Sequence, residues 1–291
     1  MTDTFEKNIE GFFWLARERQ EMKRKREAYL PPPWTKDYVL ANYRFCNVHR
    51  RDDKVSAWII DNIYEPLHGS PAIFMAAYVA RWFNKIETLD LIKDEMKGEF
   101  DLMRMKEILH PVFSQGNPIF GSAYIIQSPT GENKLDGILW AIGNVTKRWT
   151  EGYKIATETK SMAQTHAWLQ QFPHMGPFMA YQVVCDLTYT PILENAVDKM
   201  EWTCAGPGAA RGLGWLYHDL EGAFNYNGAK DQLIMKAHMH EVLKLSQQEV
   251  YWPSIWGAWE LATVQHWSCE YDKWRRGHSG QSLKRRYEAC T

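Results

Sequence analysis

No CxxC pair occurs anywhere in this 291-residue chain, and its five cysteines are an odd number. Cysteine spacing therefore excludes a disulfide framework and a zinc knuckle, and a reducing cytoplasm is the expected setting. No apolar run is long enough to cross a bilayer and no stretch reads as a signal-peptide core, so no membrane partner is expected. An excess of one charge is also missing: 34 Lys and Arg stand against 35 Asp and Glu, a net charge of −1. Bulk electrostatics thus do not mark a nucleic-acid binder, and any DNA contact must come from local basic patches. The ten histidines show no HExxH or comparable spacing. His238 and His240 are split across a helix by their two-residue gap and read as structural. No metal and no cofactor are expected. There is no internal repeat, no low-complexity tract, and no strand–helix alternation of the kind a parallel sheet requires.

What is present is aromatic and helical. Fourteen tryptophans imply a thick aromatic core, stacking surfaces, or both. Residues 4–29 read as one helix, with Phe5, Ile9, Phe12, Phe13 and Ala16 at helical spacing. Its second half, Arg17 to Arg26, is strongly basic, and Pro31-Pro32-Pro33 ends it in a stiff connector. Residues 1–33 are expected as a basic helix and linker, and 34–291 as the main helical domain. Asp52 or Asp53 is placed to cap a helix through Tyr64. Further helices are expected at 71–83, 88–109, 136–150, 161–171, 177–188, 208–220, 228–246 and 255–275. Ala123 to Gln127 is β-like and Ser128-Pro129-Thr130-Gly131 signals a turn, so at most one small hairpin is expected. The fold class is all-α. Trp252, Trp256, Trp259 and Trp267 line a helical stripe read as core.

The most informative segment is Ala205-Gly206-Pro207-Gly208-Ala209-Ala210-Arg211. Glycine allows close backbone approach, and Pro207 suits a first helical turn. The amides beyond it, with Arg211, would seat an anion at a helix N-terminus. A tight turn opening an ordinary helix has the same spacing. Phe172 to Ala180 has the shape of a helix-hairpin-helix, whose turn offers amides, here at Met175 and Gly176, to a DNA phosphate. A plain interhelical turn reads alike. Asp186 ends the apolar run that follows, where a carboxylate is costly to bury unless paired or used. It is either a general base of raised pKa or the partner of a Lys or Arg. Cys185 beside it reads as an inert buried thiol.

Asn47, Arg50, Arg51, Asp53 and Lys54 share one turn-to-helix segment. If that segment is helical, Asn47, Arg50 or Arg51, and Lys54 lie on one face. Such a face suits a phosphate-type anion, and the Asn47 amide, which both donates and accepts, suits a polar planar edge. The plainer reading is a solvated face closed by Arg–Asp pairs. Glu270 and Lys273, one turn apart, form either an intrahelical pair or a site for an amine and a carboxylate. Lys23, Arg24, Lys284 and Arg285 are the basic residues assigned to phosphate contact.

Five short motifs stand in order: Asn47/Arg50/Asp53, Gly176 to Gln182, Asp186 to Tyr189, Ala205 to Ala209, and Cys269 to Lys273. Together, over about residues 38–287, they resemble a phage family, the alpha-glutamyl/putrescinyl-thymine pyrophosphorylases, also described as amino acid:DNA transferases. That family is similar to the helical domain of 5-hydroxymethyluracil DNA kinases and, more distantly, to helix-hairpin-helix DNA glycosylases. The resemblance implies a glycosylase-like helical fold and a double-stranded DNA substrate carrying pyrophosphorylated 5-hydroxymethyluracil. An amino acid or polyamine would displace pyrophosphate from the methylene carbon, with the base flipped out of the duplex. Functional coupling to such a kinase follows. Asp186 is then the base, with Asp53 next in line. Arg50, Arg211 and the Gly206, Gly208 and Ala209 backbone would stabilise the leaving charge. Two rivals stay open: a glycosylase acting on a modified base, and a non-catalytic DNA-binding partner of the kinase.

Overall fold

The computed structural model describes residues 3–98, 100–121 and 133–283. Every regular element among them is helical, so the all-α class is observed. Ala123 to Gln127, the turn Ser128 to Gly131, and the basic residues Lys284 and Arg285 lie outside the described residues. No described helix is long and apolar enough to cross a membrane.

In chain order the helices are α1 (Asp3–Glu27), α2 (Tyr38–Asn42), α3 (Lys54–Ile59), α4 (Ala72–Phe83), α5 (Ile86–Ile92), α6 (Leu102–Ser114) and α7 (Lys134–Thr146). They continue with α8 (Trp149–Thr159), α9 (Met162–Leu169), α10 (Pro177–Leu187), α11 (Pro207–His218), α12 (Ala229–Leu245) and α13 (Leu261–His278). The chain divides into two compact units, Met1–Asp53 with Met200–Thr291, and Lys54–Lys199.

In the first unit, α1 forms because its apolar residues recur every three or four positions. Phe5, Ile9, Phe12, Phe13 and Ala16 are all buried. The helix gives out where Tyr29 takes a left-handed φ of 55°, just before the prolines. The same core takes Leu213 and Leu216 of α11, Trp267 and Tyr271 of α13, and Trp252 and Trp259. Each large apolar side chain so buried is worth about 1.5–3 kcal/mol. The tryptophans are core, with Trp256 only partly buried, but they do not share one helix. Gly257 at φ 87° breaks the chain, and Glu260 and Thr263 form a reciprocal capping box. The helix expected from residue 255 therefore starts at Leu261.

Glycines draw α11 against α13. A Cβ on Gly212 would stand 1.9 Å from the Ser268 carbonyl oxygen, and one on Gly208 would stand 2.9 Å from the Cys269 sulfur. This approach sets the first turn of α11 directly on the middle of α13.

In the second unit, α4 is apolar except for Arg81 and is buried along its whole length, the mark of a central helix. The helix expected at 88–109 is two, α5 and α6, because Asp101 caps α6 by accepting the Arg104 N–H at 2.9 Å. Helix α8 is not among those expected. Its Gly152 lies flat on Trp168 of α9, where a Cβ would stand 2.3 Å from the ring. Asp198 fixes the start of α9, accepting the N–H groups of Met162 at 2.7 Å and Ala163 at 3.0 Å.

Candidate functional site

The segment carrying Asn47, Arg50 and Asp53 is a loop, not a helical face. His49 and Asp53 are extended and flank a single 3-10 turn at Arg50–Asp52. The cause is local. Asp53 Oδ1 accepts the Asn47 backbone N–H at 2.7 Å, and Asn47 Nδ2 donates to the Asp52 carbonyl at 2.7 Å. These two bonds close the loop on itself, so Asn47, Arg50 and Lys54 do not align as helix neighbours. Arg51 is exposed, and Lys54 is exposed at the start of α3 in the second unit. Asn47 is 3% exposed. Its Oδ1 is enclosed and has no hydrogen-bond partner among the described residues.

Helix α13 meets this loop. Glu270 accepts the Cys46 N–H at 3.3 Å, across 224 positions of sequence. Lys273 stands 3.7 Å from Glu270, donates to the Arg44 carbonyl, and lies 4.2 Å from the centre of the Phe45 ring. The two carboxylates are driven apart. Burial pushes Asp53 up to about 6, against the opposing bond from the Asn47 amide. Burial would also raise Glu270, but Lys273, His266 and Cys46 outweigh it and hold it below the usual range. Burial pushes the His266 ring down to about 4, although it hydrogen-bonds the Asn47 backbone. Its Nε2 is enclosed without a partner among the described residues. Burial, then the charge of Glu270, raises the Cys46 thiol well above its ordinary value. Ligand atoms of Cys46, Asp53 and His266 lie within 4.8 Å of one another.

The Gly-Pro-Gly segment opens α11. Gly206 is its N-cap with no side-chain cap, and Pro207 is in the first turn. The amides of Gly208 and Ala209 therefore have no partner within the helix. Pro207, Ala210 and Arg211 line an open pocket of about 410 Å³ with Glu221, Phe224 and Tyr226. Arg211 Nε donates to Asp272 Oδ2 at 3.0 Å, and Glu221 stands 3.7 Å away. Cys269 ties the two halves together. Burial lifts its thiol to about 12, and Glu270, Asp272, Arg211 and Arg50 all act on it. The motifs at 47–53, 206–211 and 269–273 thus converge in the first unit.

The remaining candidates sit elsewhere. Asp186, in the second unit, is 3% exposed and receives the guanidinium of Arg81, itself 2% exposed. Arg81 Nε donates to Asp186 Oδ2 at 2.7 Å, and Nη2 binds the same carboxylate. The segment between α9 and α10 turns at His174, φ 60°. Gly176 caps α10 without a side-chain bond, and the Met175 side chain is buried. Lys23 is held by Asp52 at 2.6 Å. Arg24 is largely exposed beside Glu21.

A family model for the 5-hmdU DNA kinase helical domain matches residues 6–283. The chain belongs to that family. A curated relative, the 5-hmdU DNA kinase of Bacillus phage SP10, is 24% identical over 262 residues, which is 83% of this chain and 40% of the relative. The chain thus spans well under half the length of that protein. No solved structure matches. The relation to the kinase helical domain expected from the motifs is therefore shown. Three partners in the structure stand outside those motifs: Cys46, His266 and Arg81. Cys46 adjoins Asn47, and His266 lies one helical turn before Glu270, a position a helical reading of α13 could have singled out.

Proposed function

We propose that this chain modifies a thymine-derived base in DNA, replacing pyrophosphate on the 5-methylene carbon with an amine. The observation that carries the reading is the enclosed, unpartnered Oδ1 of Asn47. An orphaned buried acceptor costs about 1–3 kcal/mol, and an N–H on the edge of a flipped uracil removes that cost. Movement of the covering side chains admits the base. The relative's name supports the choice of base, since it is a kinase of 5-hmdU in DNA.

The other roles follow from charge. Arg50, Arg211 and the uncapped Gly208 and Ala209 amides stabilise the pyrophosphate as it departs. Glu270, held ionised, attracts the ammonium of the amine, and Lys273 meets the carboxylate of an amino acid. In the reaction the amine lone pair forms the N–C bond while the C–O bond breaks. Pyrophosphate leaves with the electron pair, and the proton lost by nitrogen passes through Glu270 to solvent. Only the neutral amine attacks, and free amines titrate at about 8–10, so the rate rises with pH through that range. In this reading Asp53 braces Asn47, and Asp186 is the counter-ion of Arg81. Arg24, Lys284 and Arg285 supply DNA phosphate contacts.

The test incubates the chain with duplex DNA containing pyrophosphorylated 5-hydroxymethyluracil and candidate amines, with nucleosides analysed by mass. A nucleoside bearing the amine in place of pyrophosphate is the expected product. Abasic sites would instead identify a glycosylase, and binding without turnover a partner of the kinase.

A further inference from the structure

Cys46, Asp53 and His266 come from two separate stretches of chain, a loop and α13. The fold brings a thiol, a carboxylate and an imidazole within 4.8 Å of one another. Bonds of about 2.0–2.3 Å to a tetrahedral ion place donors roughly 3.5 Å apart, so the three need to close by about an ångström. The His266 ring hydrogen-bonds the Asn47 backbone while its Nε2 is enclosed without a partner among the described residues. A backbone contact on one side of the ring is how metal-ligating histidines are held in orientation. The surrounding charges are mixed: Arg50 and Lys273 are offset by Glu270.

We propose that Cys46, Asp53 and His266 bind one thiophilic divalent cation of the zinc type. A sulfur, nitrogen and oxygen set favours zinc or cobalt over magnesium or calcium, which prefer all-oxygen shells. Thiolate and carboxylate together neutralise the ion. Three protein donors leave a fourth position open, the pattern of catalytic rather than structural sites. That position takes a water or an anionic oxygen. Its use on the pyrophosphate oxygen rests on the function proposed above, whereas binding itself does not.

The test is cobalt(II) titration of the metal-free 291-residue chain, read by absorption, with zinc content of the purified protein read by mass spectrometry. One equivalent is expected, with a sulfur-to-cobalt charge-transfer band that excess magnesium leaves in place. Cys46→Ser should abolish the band, and His266→Gln should weaken binding by about tenfold or more. Cys204→Ser, altering a thiol outside the cluster, should change neither. Circular dichroism of the variants separates lost ligation from lost fold. Wild-type protein that takes up no stoichiometric cobalt or zinc overturns the proposal whatever the variants do, as does a band that survives Cys46→Ser. Because the readout is spectroscopic, it stands or falls independently of the transfer assay.

Discussion

The Asp53 carboxylate accepts the Asn47 backbone N–H at 2.7 Å, closing the loop that holds the Asn47 side chain inside the protein with one amide oxygen unpaired. Asn47→Ala removes that acceptor together with its cost but also the Nδ2 bond to the Asp52 carbonyl at 2.7 Å, so a loss of about 1 kcal/mol of stability should result. Catalytic efficiency on the modified-uracil substrate should fall by about 10- to 100-fold, the equivalent of one lost buried hydrogen bond. Steady-state kinetics beside a melting curve separates the two effects. Unchanged kinetics would remove Asn47 from base recognition.

Arg211 is held by Asp272, which also receives Arg276 at 3.2 Å. Arg211→Ala therefore leaves Asp272 with a partner and should fold. If the guanidinium acts on departing charge, kcat should drop by about a hundredfold or more, with KM for DNA nearly unchanged. Loss confined to KM would make Arg211 a binding residue only.

The Arg81–Asp186 pair is buried on both sides. Asp186→Asn leaves the guanidinium without its countercharge and should cost about 3–5 kcal/mol of stability. The double change Arg81→Met with Asp186→Leu should recover much of that loss, because two apolar groups need no compensation. Urea melts of the two variants beside wild type test this. A stable Asp186→Asn protein with turnover reduced a hundredfold would return Asp186 to the role of base.

Two glycines in helices of the first unit should respond oppositely. Gly212→Ala forces a methyl to within 1.9 Å of a backbone oxygen, and overpacking of that kind costs about 1–3 kcal/mol or more. Gly11→Ala meets nothing within 4 Å and should stabilise α1 by up to about 1 kcal/mol. Thermal denaturation of both variants checks this, and a Gly212→Ala protein as stable as wild type would contradict the close α11–α13 approach.

Burial lowers the pKa of His49, His166 and His238, in each case against a smaller opposing contact. Above the unfolded value of about 6.5 both states are neutral and the three contribute nothing. As pH falls through that value, the unfolded chain takes up protons first, so stability is lost on the acid side. The histidines should therefore lower the melting temperature from pH 7 to pH 5, opposed by Asp53, whose pKa of about 6 lets the folded state take up its proton first, and His166→Gln should remove part of the histidine contribution. A slope identical to wild type would show that His166 keeps its ordinary pKa.

Periodicity and punctuation are local, and they were readable without coordinates. Phe5, Ile9, Phe12 and Phe13 announce α1, the prolines end it, and Gly206-Pro207 marks the start of α11, because the backbone geometry of a helix depends on residues a few positions apart. The motifs at 47–53, 205–209 and 269–273 were also visible as short strings. What the strings could not show is which of them meet. Arg81 belongs with Asp186 across 105 positions, and Cys46 with Glu270 across 224. Those pairings depend on which helix faces pack together. The same holds for Gly208, read with Gly206 as an anion-binding turn, which together with Gly212 also admits α13. Sequence by itself determined an all-helical chain and its polar motifs. Only tertiary packing decided that Asp53 faces Cys46 and His266 while Asp186 faces a buried guanidinium, because burial and partner, not residue type, set what a carboxylate can do.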